Sequence, residues 1–146
     1  MSAPANNPPM KFGTIKQIVV IDASPQEVYE AYVDPKKHAA FTGTAVTGTP
    51  KVGGKFKAGD GYISAKYTKL QPGKKIVHEW ITTEWPAGYP PSIFELTLKA
   101  KGKGTELTMV HSKVPEDQVD YYAEGWKEFY WTPMKKYFAA KRTSKK

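Results

Sequence analysis

Residues 119–138 read VDYYAEGWKEFYWTPMKKYF, and this stretch decides the fold. Val119, Tyr122, Trp126, Phe129, Tyr130, Met134, Tyr137 and Phe138 recur at helical spacing and fall on one stripe. A helix with that much aromatic surface on one side needs a broad apolar face to bury it. Pro133 sits inside the pattern and has no N–H for the carbonyl of Phe129, so a kink or break is expected there. Acids cluster from Glu116 to Glu128, and the charged residues from Lys135 to Lys146 are all basic. That order suits the helix macrodipole.

Upstream, the chain supplies the missing face as strands. Ser92 to Ala100 alternates, with Phe94, Leu96 and Leu98 on one side and Glu95, Thr97 and Lys99 on the other. Lys101-Gly102-Lys103-Gly104 reads as a hairpin turn into Thr105 to Lys113, where Leu107, Met109 and His111 share a face. Further strands fit Ala45 to Thr49, Lys55 to Ala58, Tyr62 to Leu70 and Lys75 to Trp85. Thr14 to Asp22 reads as a first strand. Ser24-Pro25-Gln26-Glu27 is a capping box with proline at the first helical position, and Asp34-Pro35 repeats the start signal for a second short helix ended by Gly43. Strands joined by short turns pair as neighbours. The expected fold is α+β: a curved antiparallel sheet of about seven strands wrapped on one long C-terminal helix, with two short helices after the first strand.

The 146 residues make one domain. Residues 1–12, rich in Pro, Ala and Asn, read as a disordered lead; 13–140 form the domain; 141–146 form a basic flexible tail. The chain has no cysteine, which excludes disulfides, thiolate metal sites and cysteine nucleophiles. No apolar run reaches the roughly 18 residues that cross a bilayer. No secretory signal precedes the domain, and a cytoplasmic location is expected. The net charge of +8 raises the question of nucleic acid. Arg142 is the only arginine, however, and base and phosphate reading is largely arginine work. The positive charge is a lysine surface, and no nucleic-acid partner is expected.

Several motifs carry a resemblance across 14–138. They are Ala23-Ser24-Pro25 with Val28-Tyr29; Asp34-Pro35; Gly53-Gly54-Lys55-Phe56 with Asp60-Gly61; and Leu70-Gln71-Pro72 with Trp80. Trp85-Pro86-Ala87-Gly88, Gly104-Thr105-Glu106-Leu107, Val114-Pro115 and Gly125-Trp126-Lys127-Glu128-Phe129-Tyr130 complete the set. In this order they resemble the family named for the C-terminal domain of the activator of heat-shock protein 90 ATPase. That family lies within the SRPBCC helix-grip superfamily, with START domains and birch-pollen-allergen-type proteins. Phe41 stands where the family often has tryptophan. The resemblance implies a non-enzymatic, co-chaperone-type binding module whose partner is the heat-shock protein 90 chaperone. It leaves open a carrier of a small apolar ligand or lipid in the helix-grip cavity, and a cyclase-like enzyme after that.

Candidate site residues follow from these readings. An apolar ligand between helix and sheet would meet His78, Trp80, Phe94, Leu96, Met109, His111, Trp126, Phe129 and Tyr130, aromatic walls with a few polar groups. A chaperone would meet Lys55, Lys57 and Lys66, part of a stretch from Lys36 to Lys75 with nine lysines and one acid, and Trp85 and Tyr89 on a Pro-stiffened loop. No metal or cofactor is expected. With one strand between them, His78 and His111 stand about 9.5 Å apart, and no third ligand has metal spacing. They read as buried histidines satisfied by hydrogen bonds. Glu79 and Glu95 read as solvent-facing sheet residues, and no catalytic residue is assigned.

Overall fold

The computed structural model of the protein describes residues 10–144. Strand β1 (Phe12–Ile21) leads into two short helices, α1 (Pro25–Val33) and α2 (Pro35–Thr42). Six strands follow: β2 (Thr47–Gly48), β3 (Lys55–Ala58), β4 (Ile63–Gln71), β5 (Lys75–Thr82), β6 (Ser92–Lys101) and β7 (Gly104–Pro115). A 3-10 turn at Glu116–Gln118 opens the last helix, α3, over 119–144. The seven strands form one antiparallel sheet in the order β1-β7-β6-β5-β4-β3-β2. The chain therefore crosses from one sheet edge to the other through α1 and α2, then meanders back.

Residues 1–9 of the expected lead, and Lys145 and Lys146 of the expected tail, lie outside the described residues. Phe12, placed in the lead by composition, is instead the first residue of β1, opposite Pro115. Lys11 accepts a bond from the Glu116 N–H at 2.9 Å, and the Phe12 ring packs edge-on against Tyr89 at 5.4 Å. Those partners are distant in sequence, so local composition does not show them. At the other end, α3 continues through Ser144. Strand β5 stops at Thr82, short of Trp85, because the chain turns there with the Trp85 N–H donating to the Thr82 carbonyl.

The caps form as their residues dictate. Ser24 Oγ accepts from the Glu27 N–H at 3.2 Å, and Glu27 Oε1 accepts from the Ser24 N–H at 2.9 Å. Asp34 Oδ1 accepts from the Lys36 N–H, and Gly43 ends α2 in the left-handed region at φ 76°. Inside the sheet, Tyr67, His78, Phe94, His111 and Ile15 are opposite one another on successive strands β4, β5, β6, β7 and β1. This row is the floor on which α3 lies.

Pro133 does not break α3. The helix answers with one wide π turn over Lys127–Trp131, in which the Thr132 N–H donates to the Lys127 carbonyl five residues back. The wide turn changes which residues face the sheet. At the spacing of an ordinary helix Phe129 belongs to the buried stripe, but here it is 62% exposed and Trp131 is buried instead. Trp131 stacks on Trp126 at 5.7 Å and 16°, the contact that an i+5 relation creates. Its Nε1 donates to Gln17 Oε1 at 2.8 Å, while Gln17 Nε2 donates to the Ala123 carbonyl at 2.9 Å. Gln17 thereby ties β1 to both sides of the wide turn.

Trp126 is the anchor of this packing, buried against Phe94 at 4.8 Å and Tyr130 at 4.7 Å. Trp126→Ala is expected to lower unfolding free energy by about 3–5 kcal/mol. Urea denaturation checks this; a loss under about 1 kcal/mol would mean that α3 is not held by this ring.

Candidate functional site

The space between helix and sheet is mostly filled by a polar-aromatic core. His38, His78 and His111 are all buried, and every ring nitrogen has a partner. Acceptor-only and donor-only partners fix their tautomers. Trp126 Nε1 can only donate, so its bond to His111 Nδ1 at 3.1 Å leaves His111 protonated on Nε2. That N–H donates to Ser92 Oγ at 2.8 Å, and Ser92 donates onward to the Trp80 carbonyl at 2.7 Å. His78 Nδ1 donates to the Glu79 carbonyl, so its Nε2 accepts from the Tyr32 hydroxyl at 2.9 Å. His38 Nδ1 donates to the Tyr32 carbonyl, and its Nε2 accepts from the Tyr130 hydroxyl at 2.7 Å. The indole donor requires His111 to be neutral, and burial, which disfavours the charged ring, keeps His38 and His78 neutral as well. Burial pushes His78 and His111 down to about 3, and His38 to about 4, from the ordinary 6.5.

The rings pack as closely as the hydrogen bonds. Phe94 lies parallel to Tyr32 at 5.5 Å and to His78 at 4.5 Å. This is why the expected cavity residues divide into two groups. His78, Phe94, Leu96, Met109 and His111 are fully buried in this packed layer and touch no cleft. Trp80, Trp126, Phe129 and Tyr130 line a separate opening to one side.

That opening is a cleft of about 580 Å³, within the range of small-molecule sites. Helix α3 forms one wall; the end of α2 and the β3–β4 turn, through Thr42, Thr44, Gly59 and Tyr62, form the other. Trp80 closes its inner end. The Trp80 ring is perpendicular to Tyr122 at 4.9 Å and to His111 at 4.6 Å. Its buried Nε1 has no hydrogen-bond partner among the described residues. Sequence reading did not find Tyr62, Tyr121, Tyr122, Glu124 or Gly125 as cleft residues. Their signal is local: Tyr121, Gly125 and Phe129 are four apart, which puts them in one line along a helix.

The expected partner contacts are spread differently. Lys55 and Lys57 on β3 and Lys66 on β4 are exposed, and Lys55 is directly opposite Lys66. None of the three makes an ion pair among the described residues. Trp85 and Tyr89 are tethered within the chain. Trp85 Nε1 donates to the Pro90 carbonyl and its ring packs on Trp80; the Tyr89 hydroxyl accepts from the Lys11 N–H at 3.3 Å. Glu79 and Glu95 are not paired, since Glu79 faces Ile93 and Glu95 binds Lys75 at 2.9 Å. Among the described residues no three His, Asp or Glu side chains gather as a metal site, and no helix is long and apolar enough to cross a membrane.

The comparisons bear on this arrangement. The family model described as "Activator of Hsp90 ATPase homolog 1-like protein" matches residues 22–139. This chain belongs to that family. The human "Activator of 90 kDa heat shock protein ATPase homolog 1" is 34% identical over 79% of this chain and 34% of its own length. The chain thus spans about a third of the length of the curated relatives it matches. An HSP90 activator from Plasmodium falciparum superposes with a TM-score of 0.70 at 20% identity, covering 79% of this chain and 87% of that one. Ara h 8.0201, a Bet v 1-type allergen, superposes with a TM-score of 0.71 at 12% identity, over 89% of this chain and 99% of that one. The fold is the helix-grip fold of the family.

The neutral histidines set a pH dependence. In the unfolded chain each takes a proton near pH 6.5, while in the fold each resists until about 4 or below. Their contribution to stability is therefore fully present above pH 6.5 and is lost as the pH falls. With three protons at issue, unfolding free energy is expected to drop by about 3–4 kcal/mol between pH 6 and pH 5. Urea titrations across that interval check it. His111→Gln is expected to reduce the slope by one proton, and a flat profile in the parent would mean that the histidines are not held neutral.

Proposed function

We propose that this chain is a non-enzymatic binding module that stimulates a heat-shock-protein-90-type chaperone. Membership of the activator family supports the reading, as do the relatives named as activators of that ATPase. The observation that carries it on this chain is the lysine face. Like charges directly opposite on neighbouring strands destabilise a sheet, yet Lys55 faces Lys66; Glu79 is opposite Lys66 on β5, but neither lysine makes an ion pair among the described residues. An acidic partner surface would relieve that repulsion and speed encounter. An activator without chemistry of its own acts by binding the turnover-competent state of the chaperone more tightly than the others.

A second reading rests on the cleft. A small apolar ligand seated against Trp80 and Trp126 would use a volume of about 580 Å³ that the packed histidine layer does not offer.

The test of the first reading is titration of a purified chaperone of this class with the chain, following ATP turnover. Stimulation is expected at low salt and is expected to weaken at high salt, as the Debye length falls from about 10 Å at 0.1 M to about 3 Å at 1 M. Replacing Lys55, Lys57 and Lys66 together by Glu is expected to slow association about tenfold or more. Each exposed change is expected to alter stability by less than about 0.5 kcal/mol. No stimulation and no complex from the parent at low salt would overturn the co-chaperone reading.

A further inference from the structure

Three parallel lines of α3 meet in the cleft. Tyr122, Trp126 and Tyr130 form the buried line. Tyr121, Gly125 and Phe129 form the next, with both rings more than 60% exposed. Asp120, Glu124 and Glu128 form the outermost, exposed on the solvent side. The cleft thus grades from aromatic depth to carboxylate rim within one helix face. No lysine, arginine or histidine lines it, although the chain carries 22 basic residues against 14 acids. None of the three rim carboxylates makes an ion pair among the described residues.

Gly125 adds an independent observation. Mid-helix glycine costs roughly 1 kcal/mol relative to alanine. Nothing in the packing asks for it, since, its own stretch of helix backbone aside, the nearest atom to an added Cβ would be Phe129 Cδ2 at 4.0 Å. What the missing side chain does is leave a gap between two exposed rings at the floor of the cleft.

We propose that the cleft binds a small organic cation with an apolar body: the body lies between Tyr121, Phe129 and the Trp126 wall, and the ammonium stays at the Asp120–Glu124–Glu128 rim. Aromatic faces attract cations, and the carboxylates add to that attraction, while Lys127, three residues after Glu124, lines the groove on the other side of α3. The charged end keeps its water at the exposed rim, so it is not stripped of solvent. This inference rests on the ligand-binding reading of the cleft and assigns its ligand class.

The probes are benzyltrimethylammonium, its neutral carbon isostere neopentylbenzene, and phenylacetate. Each is titrated into the full chain at low salt with amide and indole NMR signals followed. The cation is expected to shift the Trp126, Gly125 and Phe129 signals and to bind about tenfold more tightly than the isostere, with phenylacetate weaker still. D120N/E124Q/E128Q is expected to remove that preference while leaving neopentylbenzene binding within about twofold, and Glu116→Gln, outside the cleft, is expected to change neither. Gly125→Leu is expected to abolish binding of both by filling the gap. Equal affinity for cation and isostere would overturn the ligand class and leave the apolar-ligand reading standing. Cleft signals unmoved by any probe would overturn both.

Discussion

Pro133 has no proton to give to the carbonyl of Phe129, and most of what is particular to this molecule descends from that. One turn of α3 widens, so the Thr132 N–H reaches back five residues to Lys127. Trp131 then comes round over Trp126, and Gln17 of β1 fastens to both sides of the turn. Phe129 is driven outward, which places a ring at the rim of the cleft. An unbroken α-helix of the same sequence would bury Phe129 and expose Trp131. The Trp126–Trp131 stack and the exposed ring of Phe129 are therefore two results of one wide turn.

The second constraint is that the interior is polar as well as aromatic. Apolar side chains alone tolerate many packings, but a donor-only indole against a ring nitrogen tolerates one. Trp126 reaching His111, and Tyr130 reaching His38, lock the helix to the sheet and to α2 at specific heights. A register slip would strand buried nitrogens, at about 1–3 kcal/mol each. That same lock occupies the volume between helix and sheet around His78, Phe94 and His111, and the cleft lies to one side of it.

Much of this was legible in the residues. One capping box, the Asp34-Pro35 start signal, the Gly43 stop and alternation over Ser92–Ala100 gave the elements and their order, and the short turns gave the pairing. Parity put His78 and His111 on the apolar faces of their strands, the meander put one strand between them, and both are opposite Phe94. What could not be read was the effect of Pro133. A proline announces a disturbance, but whether the helix breaks, kinks or widens depends on what the displaced side chains meet. Here they meet Gln17, more than a hundred residues away. The cleft was hidden for the same reason. The acids at 120, 124 and 128 read as helix electrostatics, and the opposite wall of the cleft, the end of α2 and the β3–β4 turn, is far from them in sequence. Trp85 and Tyr89 looked free because their partners, Trp80 and Lys11, lie on other elements.

The sheet order has a consequence in time. Within this domain strand β1 is made before every other element, and its strand neighbour among the described residues, β7, is the last of the seven strands. Thr105 binds the carbonyl of Ala23 across 82 positions. Until that neighbour arrives, β1 exposes a β-branched edge with nothing to pair it, and such an edge is a template for association between nascent chains. The hairpins from β2 to β6 can close early on their local turns, but the closing step waits for β7. Such non-local pairing belongs to the slower end of single-domain folding. A cell that makes this domain gains by shielding β1 until β7 has been made.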